Sequence, residues 1–223
     1  MGLTRANIFL WAGLAVVAIA AALVSVWLAV TTIGALDREL EIRGTFLEGG
    51  RPIADFELVD HQADTFTQDM LKGKWSLLTF GYTNCPDTTP EMLEMLSLTY
   101  RTLEAADQTD NLQVAFVSVD PERDTVPRLA DFAPGFHSDF IALTGQHDEM
   151  LELMRSIGIR LSQTNSDDPG YSIRPEGTVV LTNPDGKLIA LFTPPHHPQL
   201  LAEDLYAIMR HESRQNWLAP LTN

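Results

Sequence analysis

The chain has 223 residues, 45% of them hydrophobic, and its 30 acidic and 15 basic side chains give a formal net charge of −15. That length suits one domain of ordinary size plus a tail and argues against a second full domain. The acidic excess argues against binding a nucleic-acid backbone, which needs a basic face, and the single cysteine, Cys85, excludes an internal disulfide framework.

No charged side chain occurs over residues 6–36, and residues 8–30 are mostly Ala, Val, Leu, Ile, Phe and Trp. About 20 apolar residues cross the hydrocarbon core, so a single N-terminal transmembrane helix is expected over 6–36, with Trp11 and Trp27 near its ends. Arg5 and the α-amine favour a cytoplasmic tail over 1–5 and an exported body. The expected location is therefore the inner, cytoplasmic membrane, crossed once, with the body in the periplasm or an equivalent outer compartment. A cleaved signal peptide is the rival, because Ala18-Ile19-Ala20 resembles a cleavage site; the apolar run extends well past it, which favours an uncleaved anchor.

Residues 37–50 are polar, contain Gly44, Gly49 and Gly50, and read as a linker into a domain over 51–213, with a tail at 214–223. Residues 53–59 and 65–67 suggest a hairpin. The run from Trp75 to Phe80 has the length and residue types of a buried strand, and a helix follows from Pro90 to about Ala105, with Thr88 or Thr89 as its N-cap. Residues 112–119 form a nearly continuous apolar run typical of central strands. It ends at Asp120-Pro121-Glu122-Arg123-Asp124-Thr125. Acidic residues there suit the functional edge of an α/β sheet, and Asp124 and Thr125 equally suit capping a helix over 126–132. A short strand over 140–143, a helix over 147–157, a long polar loop over 162–177, a hairpin turning at Asn183-Pro184-Asp185-Gly186 and a last helix over 199–210 complete the chain. This order predicts an α/β, three-layer domain of thioredoxin-like type.

Cys85 sits between the buried strand and the long helix. Free N–H groups and the dipole at a helix start favour thiolate over thiol, which suits a thiol that reacts or binds metal. The plain alternative is a cysteine that packs in the core, against which Asn84, Pro86, Asp87 and Thr88 read as a loop.

The segments Leu71-Lys72-Gly73-Lys74, Phe80-Gly81-Tyr82-Thr83-Asn84-Cys85-Pro86-Asp87, Val117-Ser118-Val119-Asp120-Pro121-Glu122-Arg123-Asp124-Thr125 and Leu143-Thr144-Gly145, with the Asn-Pro-Asp-Gly turn, resemble the Sco (SenC-type) family over about residues 50–210. The resemblance implies a thioredoxin-like domain that binds one copper ion, exchanges thiols and helps assemble the copper centre of cytochrome c oxidase. It implies as partners the membrane and an oxidase subunit or another thiol or copper protein. The family's copper site implies two cysteines in Cys-Pro-Asp-x-Cys-Pro and a histidine shortly before the closing hairpin. Here Cys85 matches the first cysteine, Asp87 the aspartate, and Thr89 stands at the second cysteine. The histidine position falls at Pro175, and no histidine lies between His147 and His196.

The candidate site is therefore Cys85, as nucleophile or metal ligand, with Asp87, Thr89, Asp120 and Asp124 as surrounding motif residues. A lone thiol cannot cycle as an intramolecular disulfide, and one soft ligand holds copper poorly. No cofactor is assigned, and copper remains the candidate. Met92, Met95, His196 and His197 are conceivable substitute ligands, although such methionines ordinarily pack and such histidines are ordinarily exposed. Three readings stay open. In one the chain is a scaffold whose Cys85 and Asp120-to-Thr125 loops engage a partner. In another it is a single-cysteine redox protein, with Cys85 aided by the helix start and the Thr83 or Thr88 hydroxyl. In the third it is a copper chaperone with replaced ligands. Peroxidase chemistry is disfavoured, because Tyr82 stands where peroxiredoxins place a threonine.

Overall fold

The computed structural model describes residues 14, 16–28, 40–159, 162–164, 172–174 and 177–218. The chain divides into two units, Met1–Leu40 and Glu41–Asn223. In the first, a helix, α1, covers the described residues 14 and 16–28, and its apolar side chains, Val17, Leu23 and Trp27 among them, are exposed. The rest of the expected 6–36 anchor, and Arg5 before it, lies outside the described residues. Among the described residues no helix is long and apolar enough to cross a membrane.

The second unit is built on a mixed sheet of eight strands, in spatial order β1 (Thr45–Pro52), β10 (Lys187–Phe192), β9 (Val179–Thr182), β4 (Trp75–Gly81), β5 (Leu112–Ser118), β6 (Ile141–Thr144), β2 (Glu57–Asp60) and β3 (Thr65–Thr67). β4, β5 and β6 run parallel, and β9 joins β4 antiparallel. Parallel neighbours require crossovers, supplied by α2 (Thr88–Glu104) between β4 and β5 and by α3 (Val126–Phe132) between β5 and β6. Because successive strand residues point to opposite faces, Leu78, Phe80, Ala115 and Val117 pack with Met150, Leu153, Met154 and Ile157 of α4 (His147–Ile157). On the other face Phe116 meets Phe132 of α3, ring centroids 5.9 Å apart. There α5 (Pro198–Leu218) lies along α2, with the Thr99 hydroxyl 3.4 Å from the Pro198 carbonyl. Burial on both faces explains why β4 and β5 read as unbroken apolar runs. The three-layer α/β expectation holds.

Four local expectations change. The polar stretch expected as linker contains β1, an edge strand paired antiparallel with β10. Gly49 and Gly50, at φ +75° and +68°, lie where the register shifts between Phe46 and Arg51. Backbone pairing with a glycine bulge, rather than apolar alternation, makes this strand. Just before it, Arg43 is clamped to α5: its N–H and guanidinium reach the Asp204 carboxylate at 3.0 and 2.8 Å. The expected loop over 162–177 contains a separate two-stranded sheet, β7 (Ser162–Thr164) with β8 (Ser172–Arg174), formed by polar residues with no alternation to reveal it. α2 starts two residues earlier than Pro90, at Thr88 with Asp87 in the cap position. α5 continues to Leu218, into the expected tail.

Candidate functional site around Cys85

β4 and β5 are adjacent and parallel, so the loops leaving their carboxyl ends meet. Gly81 pairs with Ser118, and the Val119 N–H donates to the Gly81 carbonyl at 2.8 Å. The first loop carries Thr83, Asn84 and Cys85 into α2; the second carries Asp120 and Asp124 into α3.

Cys85 is a free cysteine, 9% exposed. Burial pushes its thiol up. The backbone N–H groups of Thr89, Asp87 and Thr88 and the Thr89 hydroxyl outweigh that and hold it below the ordinary thiol value. These groups are the free donors of the first turn of α2, aimed at the sulfur as a helix start aims at an anion. Thr89 is itself buried, at 3% exposure, and its Oγ1 also accepts the Tyr82 N–H at 3.2 Å. The Thr89 hydroxyl thus both lowers the Cys85 thiol and holds the end of β4.

Asp124 is fully buried. Its carboxylate accepts the Thr83 N–H at 2.9 Å, the Ser118 hydroxyl at 2.6 Å and the Thr83 hydroxyl. Arg128, one turn on in α3, completes the knot: its Nε lies 3.8 Å from Asp124 and donates to Thr83 Oγ1, and Nη2 reaches Asn84 Oδ1 at 2.6 Å. Asp120, also buried, pairs with Arg123, whose guanidinium lies 5.8 Å from the Tyr82 ring centre. A buried carboxylate surrounded by donors holds geometry well, and the geometry held here is that of the residues leading into Cys85.

The structure therefore brings Cys85, Thr89, Asp120 and Asp124 into one region. Asp87 is exposed and contributes its backbone N–H; its side chain makes no cap hydrogen bond. Asp124 does not cap α3: Thr125 holds the cap position, and the Asp124 side chain turns to the neighbouring loop. The hydroxyl that serves Cys85 belongs to Thr89, because the Thr83 hydroxyl is committed to Asp124 and Thr88 offers its N–H alone. Arg128, Ser118 and Arg123 were not anticipated. The spacings Asp124 to Arg128 and Asp120 to Arg123, four and three residues, were the available signal.

Of the substitute ligands, His196 and Met92 both lie against Gly177. His196 Nε2 donates to the Gly177 carbonyl at 2.6 Å. Met92 is buried beside Gly177, where an added Cβ would lie 3.3 Å from Met92 Cε and 3.0 Å from Pro194. The Met95 sulfur lies 3.5 Å from the Thr99 hydroxyl, and His197 is exposed. Among the described residues no three His, Cys, Asp or Glu side chains gather as a metal site. Pro175 lies outside the described residues.

A sequence profile of the SCO1/SenC family matches residues 47–210. The chain belongs to the SCO1/SenC family. This Sco-family chain is 32% identical over 174 residues to "Protein SCO2 homolog, mitochondrial" of Danio rerio, a match covering 76% of this chain and 62% of that protein. It thus spans less than two thirds of that relative's length. Among solved structures it is similar to Arabidopsis thaliana ScoI with copper bound, at 28% identity and a TM-score of 0.65, covering 71% of this chain and 98% of that one. It shares its fold with BsSco, described as a member of the Sco family of cytochrome c oxidase assembly proteins, at 20% identity and a TM-score of 0.59, over 73% of this chain and 95% of that one. The sheet and its helices are those of the thioredoxin-like Sco fold.

Proposed function

We propose that this Sco-family chain is a membrane-anchored accessory protein of cytochrome c oxidase copper-centre assembly that acts through one thiol, Cys85, without the complete copper site the family pattern implies. The observation that carries this reading is the pairing of Cys85 with Thr89. Where the pattern calls for a second thiol, a buried threonine hydroxyl stands instead, and it is among the groups that hold the Cys85 thiol below its ordinary value. Copper as cargo needs several soft donors. One thiolate and a hydroxyl do not fit that requirement, so no step passes through the metal.

The chemistry that fits is thiol–disulfide exchange. The Cys85 thiolate attacks one sulfur of a partner's disulfide, forming a mixed disulfide and releasing the partner's other sulfur as thiolate. That thiolate, or an external thiol, later attacks the mixed disulfide and restores Cys85. The uncharged run over 6–36 supports a single membrane span, with the body in the periplasm or an equivalent outer compartment.

The test is the full-length chain with Cys85→Ser, expressed in cells lacking the wild type and scored for oxidase activity in isolated membranes. Loss of most of that activity is expected, together with a mixed disulfide trapped by acid quenching of the wild type alone. Full activity of the variant would leave the chain a scaffold and sink the thiol reading. One copper held per chain after loading under reducing conditions, and lost with Cys85→Ser, would overturn the incomplete site.

A further inference from the structure

A cavity of about 340 Å³ lies at the opposite end of the central strands from Cys85. Trp75 opens β4 and Cys85 follows its far end, so the seven-residue strand sets the two places roughly 20 Å apart at ~3.3 Å per residue. One wall is the face of α5 made by Tyr206, Met209, Arg210 and Ser213, side chains spaced so that they share one side of a helix. The other wall is the segment between α2 and β5, which contributes Asp107 and Asp110. Trp75, half-buried, and the nearly buried Met209 supply the apolar floor, and Tyr206 adds a second aromatic ring.

Three charges line this cavity, and among the described residues none has a side-chain hydrogen bond or an ion pair: Asp107 and Asp110 on one wall, Arg210 on the other. All three are exposed, so they stand available to a ligand at the cavity's rim, unlike the buried carboxylates of Asp204, Asp120 and Asp124, which already hold Arg43, Arg123 and Arg128. Asp107 also has φ +54°, a conformation that glycine or asparagine adopts at less cost.

We propose that this cavity binds a lysine or arginine residue of a partner protein's exposed segment. A basic side chain has the three parts the walls ask for. Its aliphatic stem lies on Met209 and the aromatic rings, its cation meets those rings and the two carboxylates, and its backbone carbonyl takes the Arg210 guanidinium as donor. The volume accommodates about one residue, at the small end of the range for binding pockets. The chain's net charge of −15 draws a basic partner toward it. An acidic residue would place its carboxylate against Asp107 and Asp110, and a neutral one would leave both unmatched.

The test uses the full chain in detergent micelles, with ¹⁵N-labelled tryptophan and the Trp75 indole signal assigned from Trp75→Phe. It is titrated with the capped tripeptide acetyl-Gly-Lys-Gly-amide, with the same peptide carrying Arg, and with norleucine and Glu versions as controls. The expected result is a saturable shift of the Trp75 signal with the Lys and Arg peptides only. Asp107→Asn with Asp110→Asn should weaken it at least tenfold, and Arg210→Gln about threefold, whereas Cys85→Ser should leave it unchanged. Both Asn substitutions keep the loop's size, and Asn suits the positive φ at 107, so the doubly substituted chain should retain its wild-type unfolding midpoint. No saturable shift, an equal shift with the norleucine or Glu peptide, or full binding in the doubly substituted chain would each overturn the proposal.

Discussion

Thr89 places one buried oxygen where it accepts the Tyr82 N–H at 3.2 Å and helps hold the Cys85 thiol below its ordinary value. Thr89→Val keeps the shape and removes that oxygen. It removes the Thr89 acceptor of the buried Tyr82 N–H, at a cost of about 1–3 kcal/mol, measurable in urea, and it moves the midpoint of Cys85 alkylation to higher pH. The direction also governs stability. The folded thiol ionises below its ordinary value, so the wild type gains stability over Cys85→Ser as pH rises through the folded pKa, and the gain is complete above the unfolded pKa. As pH falls through the folded pKa that gain is lost; a gap that narrows with rising pH would contradict the lowered thiol. Asp124 and Arg128 sit in one network but differ in burial, the carboxylate fully buried and the arginine side chain 47% exposed. Asp124→Ala strands the Thr83 N–H and two hydroxyls and should cost about 2–4 kcal/mol. Arg128→Ala should cost under about 1 kcal/mol, because water replaces much of what it loses. Equal losses in a denaturant series would mean that the network does not work as drawn.

Among the elements, the contact between β4 and α2 sets how near the helix start comes to the sheet. A Cβ on Gly81 would lie 2.5 Å from Thr89 Oγ1 and 3.0 Å from Phe116. Gly81→Ala should therefore push the first turn of α2 outward, at a cost of about 1–3 kcal/mol, and move the midpoint of Cys85 alkylation to higher pH as the donors withdraw. An unchanged alkylation profile would show that the N–H groups do not depend on this approach. The same strand explains what was legible beforehand. β4 and β5 are buried on both faces, so their composition announced them, and the Asn183 turn, whose side chain accepts the Asp185 and Lys187 N–H groups at 3.1 Å each, announced the last hairpin. β1 was hidden because an edge strand with a glycine bulge is held by backbone pairing, which leaves little trace in side-chain polarity. The place of Cys85 at a helix start was readable. The identity of its hydroxyl partner was not, because three nearby threonines look alike until the fold commits Thr83 to Asp124 and turns Thr89 inward.

For the molecule as a whole, the body begins earlier than composition suggests. Glu41 opens the second unit, Arg43 grips Asp204 and β1 covers the edge of β10. A truncation starting at Glu41 should give a soluble, cooperatively unfolding monomer, whereas one starting at Arg51 leaves most of the β10 edge unpaired and should aggregate or melt several degrees lower. Size-exclusion chromatography and thermal unfolding of the two would decide, and matching behaviour would mean that β1 adds nothing. The way the chain enters this body also sets how it bears load. Ladder hydrogen bonds lie perpendicular to their strands, so tension applied from the N-terminal side along β1 shears its pairings with β10 together, after first drawing on the Arg43 grip. Force applied sideways would instead open those pairings one after another. The pairing of β1 with β10 is thus stiff to a lengthwise pull and weak to peeling.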